Sequence, residues 1–273
     1  MISLRLLPLV SVTIAALIAG CAGEAGIKSE SSAEPGAHIE QAISAQRAVT
    51  DSRASAKAHT ELGQMYLKQG RFDVALEEAR IAIEAERGYA PAYNLSAQTY
   101  MALRQDGLAG AEFIKALRLA PNDPEINNNY GWFLCLTGKV KESLSYFEVA
   151  LKNPLYQTPE LALNNAGVCH MLNKDDVSGE AYLMRALKLN PNNLRAYYLL
   201  ADIDYRRGHF MEARDWLKKL HGKIEPTSET VWLSLRIDRK LGDRRSEAAN
   251  TGILRGKFRD SPEYVQMMRG EFD

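Results

Sequence analysis

Across 273 residues the 34 Lys and Arg balance the 34 Asp and Glu, so the formal net charge is zero. A neutral chain has no long-range field to draw it to nucleic acid or to an anionic membrane surface. Leu, Ala and charged residues dominate the body, proline serves as punctuation, and no sustained apolar/polar alternation suggests a sheet. The length suits one or two ordinary domains or a single helical solenoid of about six units.

The chain opens MISLRLLPLVSVTIAALIAGC. One basic residue, Arg5, precedes an apolar run over 6–18 that is too short for a stable bilayer span. The run ends Ile18-Ala19-Gly20-Cys21, which closely resembles the cleavage site of a bacterial lipoprotein signal. That resemblance implies removal of 1–21 up to a lipidated Cys21; a plain secretory signal with a chance cysteine is the alternative. Ala22 stands where inner-membrane retention would place Asp, so the resemblance further implies an outer-membrane address. Residues 22–37 are small and polar, as in a flexible tether, and 38–55 look helical. The expectation for 22–55 is thus a tether followed by a capping helix. One acyl chain anchors only marginally, whereas the several chains of a lipoprotein hold firmly.

Beyond 55 small residues recur on fixed rails. Gly63, Ala97, Gly131, Gly167 and Ala201 stand 34, 34, 36 and 34 apart. Ala82, Ala116, Ala150, Ala186 and Leu220 keep the same intervals, as do Ala75, Ala109, Ser143, Gly179 and Ala213. Small residues at three phases of a period near 34 are the signature of tetratricopeptide helix pairs, whose backbones approach too closely for larger side chains. The predicted fold is an all-α superhelical solenoid over 56–262, with units at 56–89, 90–123, 124–159, 160–193, 194–228 and 229–262 and a tail at 263–273. Pro121 and Pro191 close second helices because proline cannot continue the hydrogen-bond ladder. The two extra residues of the 36 interval fall in the loop NPLYQTP, 153–159, read here as the longest junction between units. The sixth unit keeps Trp232, Gly242 and Ala248 but reads as degenerate, with Arg236 in place of the small residue of its first helix.

With Cys21 assigned to lipid, Cys135 and Cys169 are left as a pair in an exported protein, on the first helices of units three and four. Adjacent first helices pack side by side, so a disulfide staple is one reading and two buried thiols the other. A metal site is disfavoured because the only nearby ligand, His170, points elsewhere on its helix.

In this architecture the first helix of each unit lines the inner groove. Position five of each unit gives Thr60, Asn94, Asn128, Asn164, Tyr198 and Leu233. The asparagines could pair with the backbone of an extended peptide, or simply tolerate a wet groove or cap locally. Position nine gives Gln64, Gln98, Trp132, Val168, Asp202 and Ile237. Met171 and Leu172 join Trp132 and Val168 in an expected apolar patch that would anchor a partner, a core role for Trp132 being the alternative. The predicted partner groove therefore comprises Asn94, Asn128, Trp132, Asn164, Val168, Met171 and Tyr198. The five histidines are scattered, and no phosphate-cradling glycine loop occurs. No catalytic residue, cofactor, metal or small-molecule substrate is expected, and the chain reads as a binding protein rather than an enzyme.

Several segments are more specific than any repeat pattern. LRLAPNDPEINNNYGWFLC (117–135), ESLSYFEVALKNPLYQTPELALNNAG (142–167), LRIDRKLGDR (235–244) and SPEYVQMMRGEFD (261–273) resemble the type IV pilus biogenesis lipoproteins of the PilW/PilF group. The resemblance runs from about 58 to the end. It implies an outer-membrane pilotin: a lipid-anchored repeat protein, facing the periplasm, that binds the pilus secretin and promotes its localisation and ring assembly. The Cys135/Cys169 pair is consistent with that family. The alternative is a periplasmic lipid-anchored scaffold for another envelope assembly, such as a different secretion system or cell-wall synthesis.

Overall fold

The computed structural model describes residues 52–272; the expected signal segment with Cys21, and the tether as far as 51, lie outside them. Among the described residues there are thirteen α-helices and no strand. Twelve form antiparallel pairs: α1 (Ser52–Lys68) with α2 (Phe72–Ala85), α3 (Ala90–Ala102) with α4 (Asp106–Leu119), and α5 (Pro124–Leu136) with α6 (Val140–Lys152). The next are α7 (Pro159–Leu172) with α8 (Asp176–Leu189), α9 (Leu194–Arg207) with α10 (Phe210–His221), and α11 (Ser228–Leu241) with α12 (Arg244–Lys257). A shorter helix, α13 (Pro262–Arg269), follows. The fold is a tetratricopeptide-type solenoid. Residues 52–55, expected to close a separate capping helix, are the first turn of α1.

The rails lie where helices touch. Ala75, Ala82, Ala97, Ala109, Ala116, Ala150, Ala186, Ala201 and Ala213 are fully buried. In the fourth pair two glycines meet backbone to backbone: a Cβ on Gly179 would sit 3.1 Å from the Gly167 carbonyl oxygen. An alanine there would force the Gly167 backbone to give by a few tenths of an ångström.

A further rail emerges at the turns inside the pairs. Gly70, Arg104, Gly138, Lys174, Gly208 and Gly242 all adopt left-handed backbone, with φ between 60° and 85°. The next residue's amide reaches back to close each helix, as in Arg71 N to Tyr66 O (3.0 Å), Gln105 N to Tyr100 O (2.9 Å) and Asp175 N to His170 O (2.9 Å). This six-to-one bond satisfies a carbonyl that the helix end leaves open and demands the left-handed residue beside it. Arg104 and Lys174 bear the same φ of 60° without glycine's freedom.

The C-terminal end differs from expectation in three ways. First, α11 starts at Ser228, 34 residues after Leu194, so the sixth unit runs one residue earlier than 229. Leu235, not Arg236, then continues the first rail, and it is buried against Leu254 and Met267. Second, 263–273 is not a loose tail. Ser261 caps α13 by accepting the Tyr264 amide, Pro262 preorganises its first turn, and Met267 buries into the cluster of Val231, Trp232 and Leu235. An apolar stripe of only eight residues is enough because it packs on a finished stack. Third, the 153–158 loop is matched in length by 222–227, since α10 has twelve residues where α2, α4 and α8 have fourteen.

Candidate functional site: a groove along the first helices

The asparagines of position five do not present free amides. Asn94, Asn128 and Asn164 are 2%, 5% and 2% exposed. Each bonds towards the next first helix or its cap: Asn129 Nδ2 donates to Asn94 Oδ1 (3.3 Å) and Asn165 Nδ2 to Asn128 Oδ1 (3.0 Å). Asn164 and Asn193 exchange two bonds at 3.1 Å, while Asn193 also caps α9 through the Ala196 amide. The expected peptide-reading ladder is thus a ladder between helices, because a buried amide left without a partner would cost about 1–3 kcal/mol. The partners Asn129 and Asn165, at position six, escaped sequence reasoning. The signal was present in the doublets Asn128-Asn129 and Asn164-Asn165.

Position nine fares differently. Gln64 and Gln98 line a cavity of about 260 Å³ that runs along α1, α3, α5 and α7. Asn129, Glu125 and Leu161 complete its wall, and the 153–158 loop reaches into it with Tyr156. Burial, followed by the nearby Asp123 charge, raises the Glu125 carboxyl above its ordinary range. Burial likewise pushes the Tyr156 phenol up to about 12, so it stays a neutral donor at any physiological pH. The wall therefore combines neutral amides and a phenol with the Glu125 carboxyl and the Lys68 side chain, a mix of donors and acceptors that suits an extended polypeptide.

The expected mid-groove patch is only partly assembled. Trp132 is half-buried against the cluster of Cys135, Phe147, Ala166 and Cys169, and the Arg195 guanidinium lies 5.6 Å from its ring centroid. Desolvation lowers the Arg195 pKa from its usual value. Val168 is half-buried on the same helix as Cys169. Met171 packs in the cluster of Leu163, Leu183 and Ala186, where Gly179 on α8 leaves room for its Cγ. Leu172 is 56% exposed. Tyr198 is half-buried beside the core of the fifth pair, with its phenol raised to about 12 by burial.

Cys135 on α5 and Cys169 on α7 are joined as a disulfide with their α-carbons 5.9 Å apart. His170 faces elsewhere: its ring stacks on Tyr182 at 5.1 Å and its Nδ1 lies 3.1 Å from Asp175 Oδ2. Among the described residues no group of three or more His, Cys, Asp or Glu could hold a metal ion, and no helix is long and apolar enough to cross a membrane.

Comparison with known proteins agrees with this architecture. Tetratricopeptide-repeat models match residues 37–91 and 178–223, and another matches 90–123. The chain is a tetratricopeptide-repeat protein. It is 25% identical over 209 residues to the type IV pilus assembly protein PilF of Pseudomonas aeruginosa, covering 77% of this chain and 83% of that one. The crystal structure of PilW, a widely conserved type IV pilus biogenesis factor, superposes with a TM-score of 0.74 at 29% identity, over 78% of this chain and 98% of PilW. The solved P. aeruginosa PilF has the same fold, with a TM-score of 0.70 at 23% identity, over 80% of this chain and 99% of its own. The protein is homologous to PilF and structurally akin to PilW, both of them type IV pilus biogenesis factors.

Proposed function

We propose that this chain is a pilotin: a lipoprotein anchored in the outer membrane through Cys21, whose repeats face the periplasm, bind the pilus secretin and promote its localisation and multimerisation. It works by binding, not by catalysis. The observation that carries this reading is the likeness to PilF and PilW over more than three quarters of the chain. The groove supplies a physical route, since amides along α1, α3 and α5 can accompany an extended segment while Trp132 and Arg195 offer a stacking surface.

The test is deletion in the source bacterium, scored by heat-resistant secretin multimers in outer-membrane fractions. Loss of multimers, restored by the intact gene and not by Cys21→Ala, supports the assignment. Undiminished multimers at the outer membrane in the deletion strain overturn it and favour a scaffold for another envelope assembly. Secretin co-purification with Trp132→Ala protein then reads the groove: unchanged recovery removes Trp132 as an anchor.

A further inference from the structure

The groove is closed at one end by the chain itself. Counting α11 from Ser228, positions five, nine and twelve are Trp232, Arg236 and Arg239; position twelve of α9 is Tyr205. Position nine is the one that places Gln98 and Trp132 in the groove of earlier units. Here the face is covered. After α13 the chain reverses at Gly270, whose φ of 72° no branched residue would adopt easily, and lays Phe272 across these four side chains. The Phe272 ring lies 5.3 Å from the Trp232 ring and 4.2 Å from the Arg239 guanidinium. Its backbone carbonyl accepts from Arg236 Nε at 3.0 Å and from the Tyr205 hydroxyl at 3.3 Å. Arg236 is itself steadied over the Tyr205 ring at 4.4 Å.

Two convergent donors on one carbonyl, with an indole and a guanidinium flanking one ring, recognise a residue type and a backbone at once. Nothing in that recognition requires the segment to belong to the same chain. Repeat solenoids present such faces to extended segments of other proteins. We propose that the first-helix face of units five and six is a binding site for a phenylalanine carried on an extended segment of a partner protein, and that residues 270–272 are its resident competitor. This rests on the reading that the groove holds a partner polypeptide. A partner must displace the resident segment, so its apparent affinity falls by the fraction of time the site stands open.

The competitor can be removed without shortening the chain. Full chain and Phe272→Ala chain, each labelled with fluorotryptophan and held in detergent micelles, give three tryptophan resonances, with Trp232 assigned by its loss in Trp232→Phe. The probe is the peptide acetyl-Gly-Glu-Phe-amide, with acetyl-Gly-Glu-Ala-amide as control. The Phe peptide should move the Trp232 signal saturably in Phe272→Ala and about tenfold more weakly in the unaltered chain. Arg236→Ala in the Phe272→Ala background should weaken the response again, and the Ala peptide should give none. No movement in Phe272→Ala, equal affinity in both chains, or an equal response to the Ala peptide overturns the proposal. Should Phe272→Ala lose its cooperative thermal transition, Phe272→Leu gives the same comparison. Secretin recovery plays no part in this readout, so its outcome and that of the pilotin test separate cleanly.

Discussion

The two ends of the groove use the same helix positions for opposite purposes. Along units one to four the position-five asparagines are spent on their neighbours, and the position-nine glutamines border an open cavity. In unit six the same positions carry Trp232 and Arg236, and the chain's own Phe272 lies on them. A solenoid repeats its backbone, and so offers the same slots in every unit; the side chains alone decide whether a slot joins units together, receives a ligand or is shut. The disulfide lies within the first stretch, where it joins units three and four.

The largest expected effect comes from cutting that tie. Cys135→Ser/Cys169→Ser should lower unfolding free energy by about 3–4 kcal/mol for a crosslink spanning 34 residues. Urea denaturation measures it, and a transition that splits in two would show that the repeats on either side of the crosslink are separate cooperative units. Asn164→Ala tests the amide ladder: it strands the buried Asn193 side chain and should cost about 1–3 kcal/mol. A neutral result would mean that the position-five asparagines hold nothing together and would erase the contrast with the far end. Arg104→Gly and Lys174→Gly go the other way. Each relieves a left-handed residue and should gain about 1 kcal/mol in thermal or chemical unfolding.

The smallest effect is a pH dependence confined to the C-terminal stretch. Burial lowers the His221 pKa below 6.5, its value in the unfolded chain, so unfolded protein takes up the proton first. The contribution is intact above about pH 6.5 and is lost as pH falls below it. Protection against hydrogen exchange, taken relative to the intrinsic rate at each pH, should therefore fall in α10 to α12 on mild acidification, and His221→Gln should flatten the response.

Much of the fold could be read from residue spacing because close helix packing leaves no freedom at the rails: Gly63 to Ala201 had to be small. The left-handed turn rail was half visible, in Gly70, Gly138, Gly208 and Gly242, and hidden at Arg104 and Lys174, where hydrogen-bond closure overrides residue preference. The site was less legible. Position within one helix tells which way Asn94 points, but not that Asn129 of the next helix arrives within 3.3 Å. The sixth unit misled for a related reason. Its rail residue is a leucine, so Arg236 beside it looked like the anomaly, when Arg236 is a groove residue with a carbonyl to hold. Helix α13 announced itself in Ser261-Pro262-Glu263, yet its eight residues fall short of a repeat helix.

The crosslink has one more consequence, for how the molecule would behave under load. Helices at the ends of a stack have a neighbour on one side only, so strain peels them first and the opening runs inward. The bond from Cys135 to Cys169 brackets α6, the 153–158 loop and most of α7 into a ring that a pull on the two chain ends cannot straighten. Peeling from either end stops at that ring. What survives is a template with a second helix exposed on one flank and a first helix on the other, from which the stack can close again in both directions.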